Sequence, residues 1–211
     1  MQSETRTAAW MGSAFAIEFV LAIGILATFG AGKHGTDVAL QATGRFSFVL
    51  FWLAYTGGPL ASLARPALTW LKRSARNFGL AFASAHVVHL GLVVWLCWIG
   101  AAPSRGTFLF FGTAAIFTYL IALFSIQRLQ TYLSPTLWWL VRTIGMNFIA
   151  LAFLRDFLSG QRHMNVRYLA GYLPFMVLAI AGPLLRSLAF LLNGRSLVQL
   201  RSAPSFGGGK D

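Results

Sequence analysis

Two histidines, His86 and His89, stand three residues apart in an apolar stretch that opens at Arg73-Ser-Ala-Arg-Asn-Phe-Gly-Leu and runs through Trp95, Cys97 and Trp98 to Gly100. An imidazole in an apolar span is costly unless it has a partner, and it is the commonest side chain for holding a metal or a haem. A spacing of three puts both rings on one face of one helix. Two such rings cannot bind opposite faces of one porphyrin iron. At most one of them therefore ligates a given haem, and the other axial ligand comes from another helix or is missing. The plainer role for both rings is interhelical hydrogen bonding in a bundle.

The elements that must position these rings follow from composition. The chain has 211 residues, 57% hydrophobic and 10% charged, with a mean hydropathy of +0.67. Its apolar runs reach membrane-spanning length, which predicts an all-α integral membrane protein in contact with a lipid bilayer. Six transmembrane helices in a bundle are expected, with spans at 8–30, 46–63, 78–100, 107–126, 140–158 and 168–192 and a flexible basic tail at 193–211. The whole chain reads as a single domain. Its net charge of +12 sits in the connections between spans, which points to topology signals and anionic lipid headgroups and not to nucleic acid. With the N-terminus inside, eleven basic residues fall on the inner side and six on the outer. Both termini are therefore expected in the cytoplasm. The single cysteine, Cys97, excludes an internal disulfide and any cysteine-ligated cluster within the chain.

Several motifs recur in a set order: Thr43-Gly44-Arg45, then Thr56-Gly57-Gly58-Pro59-Leu60 at the end of an apolar span, then a basic turn, then Arg-Asn-Phe-Gly-Leu with His89 ten residues after Gly79. In this the chain resembles the ferric reductase-like transmembrane domain family, and within it the haem-binding membrane subunit of the methionine sulfoxide reductase system. The likeness covers roughly Thr43 to Phe157. It implies a bacterial inner-membrane protein that binds b-type haem, with His89 as iron ligand, His86 beside it, and electrons exchanged with quinol or a separate redox protein. The family also supplies histidines from the fifth helix, and here this sequence departs from it. Aligning Trp138 with the family's aromatic residue puts Arg142 and Arg155 at the two histidine positions, and a guanidinium cannot ligate iron.

Three readings of that departure stand side by side. Met146 lies nearer mid-span and a thioether can be an axial ligand, giving a His89/Met146 haem, although a methionine in a span more often serves packing. Alternatively His89 holds a five-coordinate haem. In the third reading the haem has been lost and the fold serves as a membrane partner or assembly protein. Arginines near the two ends of the fifth span, Arg142 and Arg155, could instead bind haem propionates, lipid phosphate or an anionic substrate, or simply snorkel to the interface.

Other residues carry weaker signals. Glu18 in the first span is either a relay or ligand carboxylate or a bundle-facing side chain paired with a polar neighbour. The segment Ala31 to Arg45, with Lys33, His34 and Asp37, reads as a solvated connection. Consecutive glycines before Pro59 predict a loosened backbone, tolerated in a membrane only where it is packed against protein or lines a cavity. His163 falls in an outer loop. Pro174 and Pro183 predict kinks in the last span. The chain has no dinucleotide fingerprint, phosphate loop, serine-nucleophile motif or zinc-binding His-Glu helix. Any oxidoreductase activity must therefore borrow its electron donor and acceptor.

Overall fold

The computed structural model describes the backbone of residues 2–64, 66–126, 129, 132–159 and 166–202, and the side chains of 5–64, 66–126, 129, 132–158 and 171–192. Among these residues the secondary structure is helical, with no strand. The six helices are α1 (Gln2–Phe29), α2 (Lys33–Leu63), α3 (Thr69–Trp98), α4 (Arg105–Ser125), α5 (Pro135–Ser159) and α6 (Val166–Ser202). Each is long and apolar enough to cross a membrane.

The helix ends follow local chemistry. Gly30 and Gly100, at φ +83° and +77°, terminate α1 and α3 in the left-handed conformation that side chains resist. Ser104 caps α4 by accepting from the Thr107 amide. At the start of α5, Ser134 accepts from the Leu137 amide at 3.2 Å. Pro135, which has no N–H to leave orphaned, takes the first helical position.

Two helices begin well before the predicted spans. α2 starts at Lys33, so most of the expected connection 31–45 is helical. This segment is polar by residue type, but Gly35, Thr36, Ala39, Thr43 and Ser47 form one buried face of small residues. The threonine hydroxyls satisfy themselves on their own helix, Thr36 donating to the Gly32 carbonyl at 2.9 Å and Thr43 to that of Ala39 at 2.8 Å. Small size and local bonding let polar residues pack where hydropathy alone predicts solvent. At 31 residues, α2 is about 46 Å long, more than the ~30 Å of a hydrocarbon core. α3 likewise starts at Thr69, with Lys72, Arg73 and Arg76 exposed on the flank that Leu71 and Phe78 leave free. α2 runs unbroken through Pro59, and α6 through Pro174 and Pro183. α6 also continues past Leu192 to Ser202, where a tail was expected.

The helices alternate in direction. Thr7 near the start of α1 meets Asn77 near the start of α3, and Arg76 reaches the end of α4 at Ser125. α2, α3, α4, α5 and α6 follow one another around a ring, with α1 against the outside of the α2–α3 pair. The most extensive contact is α2 with α3, and the sparsest of the main contacts is α3 with α4. Aromatic rings fill the centre: Phe48, Phe51, Phe82 and Phe153 lie within 5.1–6.0 Å of one another in successive pairs. Trp52 crosses to α6 and donates to the Leu178 carbonyl at 2.8 Å.

Candidate functional site

The long α2 is what gives His89 its partner. Its early turns bring Thr43 against α3, where Thr43 Oγ1 lies 2.9 Å from His89 Nδ1. The threonine has one hydroxyl proton, and the bond to the Ala39 carbonyl uses it. In that arrangement the same oxygen accepts from the imidazole, the ring proton sits on Nδ1 and the lone pair on Nε2; Thr43 donating to Nδ1 instead would require the other tautomer. Gly44 lies against the ring as well; a Cβ there would sit 3.5 Å from His89 Cε1. Two residues of the Thr43-Gly44-Arg45 motif are thus in contact with the histidine 45 or 46 positions away.

His86 stacks on His89 with ring centroids 5.2 Å apart and planes 13° from parallel. It also meets Phe82 at 5.4 Å and, across the sparse α3–α4 contact, Tyr119 at 6.5 Å. His86 Nδ1 and the Tyr119 hydroxyl are both buried without a hydrogen-bond partner. Each such atom costs roughly 1–3 kcal/mol if nothing satisfies it. The two imidazoles as whole side chains are half-buried.

On the other side of the pair, Glu18 of α1 is completely buried and accepts from Ser47 of α2 at 2.9 and 3.2 Å. Its pairing with a polar neighbour is the bundle-facing arrangement weighed from the sequence. The Tyr119 hydroxyl lies within electrostatic reach of Glu18. Four helices therefore contribute to one polar layer: Glu18, then Thr43 and Ser47, then His86 and His89, then Tyr119. Thr43, Ser47 and Tyr119 were not singled out as partners from the sequence. Their hydroxyls are ordinary for apolar helices, and only the packing of α1, α2 and α4 on α3 gives them a role.

Comparison of the chain with protein-family models, with curated proteins and with solved structures gives no match. What the layer can do must therefore be read from its own chemistry. Among the described residues, no group of three or more His, Cys, Asp or Glu side chains is arranged to hold a metal ion. His89 offers one open nitrogen whose opposite nitrogen is fixed by a second residue, which is the usual condition of an imidazole prepared for a metal. To a haem iron this set would offer one ligand, His89.

Met146 is buried in the aromatic core and lines a cavity together with Gly79, Phe82 and Arg142. On α3 the cavity residues Phe82 and Gly79 precede His89 by seven and ten positions, roughly 10–15 Å along the axis. The His89/Met146 haem is therefore not the arrangement proposed below, in which His89 would be the one ligand. Arg142 lines the same cavity as Met146. Arg155 is exposed and stacks on Phe110 of α4 at 4.3 Å. Neither arginine faces the histidines. Consequently Arg142→His and Arg155→His are expected to leave the haem spin state of the chain unchanged. A bis-histidine low-spin signal in either variant, lost again on His89→Ala, would show that α5 is placed incorrectly here.

His34 stands in the first turn of α2, exposed beside Phe29. Cys97 is a free thiol near the end of α3. His163 lies outside the described residues.

Proposed function

We propose that this chain is an integral membrane protein that carries electrons through a b-type haem held on one face by His89, with His86 stacked beside the ligand. The observation that carries the reading is the 2.9 Å contact of His89 Nδ1 with Thr43 Oγ1. With Nδ1 held by Thr43, Nε2 is the nitrogen of His89 that a metal would take. Membrane insertion is supported by the outward faces, where Val20, Val94, Leu109 and Phe190 are 68%, 68%, 70% and 78% exposed. Large apolar side chains so displayed around a helical bundle require hydrocarbon. The even number of alternating helices and the excess of basic residues on the inner loops support a topology with both termini in the cytoplasm; the bacterial inner membrane is what the family resemblance implies.

When bound, the haem supplies the one-electron chemistry that this chain's own side chains lack. The protein's part is to orient the imidazole through Thr43 and to pack it between Gly44 and the stacked His86, which itself lies against Phe82. Donor and acceptor are separate: quinol or a redox protein on one side and a reductase partner or ferric substrate on the other. The test is to purify the chain from haem-replete cells and record oxidised and reduced spectra. A Soret band of five-coordinate character is expected. A folded, haem-supplied sample without one overturns the proposal.

A second reading, a haem-free membrane partner or assembly protein, is favoured by the placement of Met146, Arg142 and Arg155 away from the histidines. It requires a protein that co-purifies from native membranes in fixed ratio with a colourless chain.

A further inference from the structure

Around the end of the bundle shared by the start of α3, the end of α4 and the start of α5, the sparse α3–α4 contact leaves a cavity of about 130 Å³. Arg76 from α3 and Arg142 from α5 line it, with Ser125 and Trp138 beside them. Phe82, Met146 and Ile149 form its apolar wall. Arg76 is held by its Nε, which donates to the Ser125 carbonyl at 3.0 Å, leaving both terminal nitrogens of the guanidinium to bind something else. A third guanidinium, Arg186 of α6, lies near enough to Arg142 to repel it, and is itself seated over the Tyr55 ring at 4.9 Å.

Like charges gathered beside an apolar cavity are unfavourable unless an anion joins them. Of the carboxylates with described side chains, Glu18 is bonded to Ser47, Asp37 pairs with Lys33, and Asp156 senses Arg45. None of them faces Arg76 or Arg142. The geometry points to a binding site for a phosphate anion bearing an apolar chain: the guanidinium pair takes the phosphate, and the wall of Phe82, Met146 and Ile149 takes the first carbons of the chain. Arginine suits this role because its fork of donors matches phosphate oxygens. The volume supports entry of one end of a molecule only, being far below the ~300–1,000 Å³ of a site that encloses a whole small ligand. A membrane phospholipid presents such an end. This assignment rests on the membrane placement proposed above and is independent of the haem.

The test uses the full chain in neutral detergent, with native mass spectrometry during titration with phosphatidylglycerol, phosphatidylcholine or inorganic phosphate. One phosphatidylglycerol is expected to remain bound in preference to phosphatidylcholine. Arg76→Gln and Arg142→Gln should each weaken it roughly tenfold, the loss of a hydrogen bond to a charged group. Arg73→Gln, an exposed charge on the same helix, should not. Displacement of the lipid by inorganic phosphate would keep the phosphate site and assign it to a soluble anion. Equal weakening by Arg73→Gln, or equal retention of both lipids, would reduce the effect to diffuse surface charge and overturn the site. Should an arginine variant fail to fold, Ala122→Leu narrows the same cavity with both arginines intact. It is expected to weaken the lipid and spare phosphate, and unchanged lipid binding overturns the apolar half of the proposal. Release of the chain from membranes by an alkaline carbonate wash would refute the membrane placement itself, separately from the site.

Discussion

His89→Ala is expected to abolish the Soret absorbance of the purified chain, while His86→Ala leaves a haem bound. The two residues are of one type, three positions apart and stacked, so sequence spacing gives no reason for such a difference. The difference arises from what holds each ring. His89 has Nδ1 fixed by Thr43 and therefore presents Nε2, whereas His86 Nδ1 has no partner and nothing selects its tautomer. Thr43→Val keeps the shape of the side chain and removes the oxygen. It should weaken haem retention by about 10–100-fold without loss of the fold, the usual effect of deleting the group behind a metal-ligating imidazole. Haem-to-protein ratio after gel filtration, followed for the three variants, measures this. Equal haem content in wild-type protein and in a folded His89→Ala variant would remove His89 from the site.

Gly57→Leu is expected to cost about 3 kcal/mol of stability, the upper part of the range for overpacking. α2 and α3 lie close together here: a Cβ on Gly57 would stand 3.0 Å from the Leu71 carbonyl oxygen and 3.2 Å from Ala75 Cβ. The nearest obstacle is backbone, which cannot rotate aside, so the helices must separate. Because α2–α3 is the most extensive contact and also holds Thr43 to His89, separation at this end should loosen haem as well. The neighbouring Gly58 is the control. Nothing lies within 4 Å of a Cβ there, and Gly58→Leu should be neutral or slightly stabilising, since leucine is the better helix former. Denaturant unfolding in detergent measures both. Equal stability of the two variants would mean that α2 and α3 are not packed through Gly57.

The sequence by itself determined the number and type of the elements. Apolar runs of spanning length fix six helices because, over some twenty residues, hydropathy sums to a signal that no single substitution overrides. It also located the histidine pair on one helical face, but it expected a loosened backbone at Gly57-Gly58-Pro59, where α2 runs unbroken and Gly57 alone of the two glycines packs against α3. Hydropathy misplaced the starts of α2 and α3 for a single physical reason. It scores threonine, glycine and arginine as solvent-seeking, but a threonine bonded to its own helix and a glycine under a neighbouring ring are good packing surfaces, and an arginine can lie along the free flank of a helix. Only the tertiary structure decided which side chains meet. It put Thr43, in a segment read as a loop, behind His89. It brought Glu18, Ser47 and Tyr119 into one layer with the histidines, and gathered Met146 and Arg142 around one cavity with Arg76. Depth and facing in a bundle depend on how each helix slides and turns against its neighbours, and that follows from interlocking small and large side chains on several helices at once, which a single chain read in order does not display.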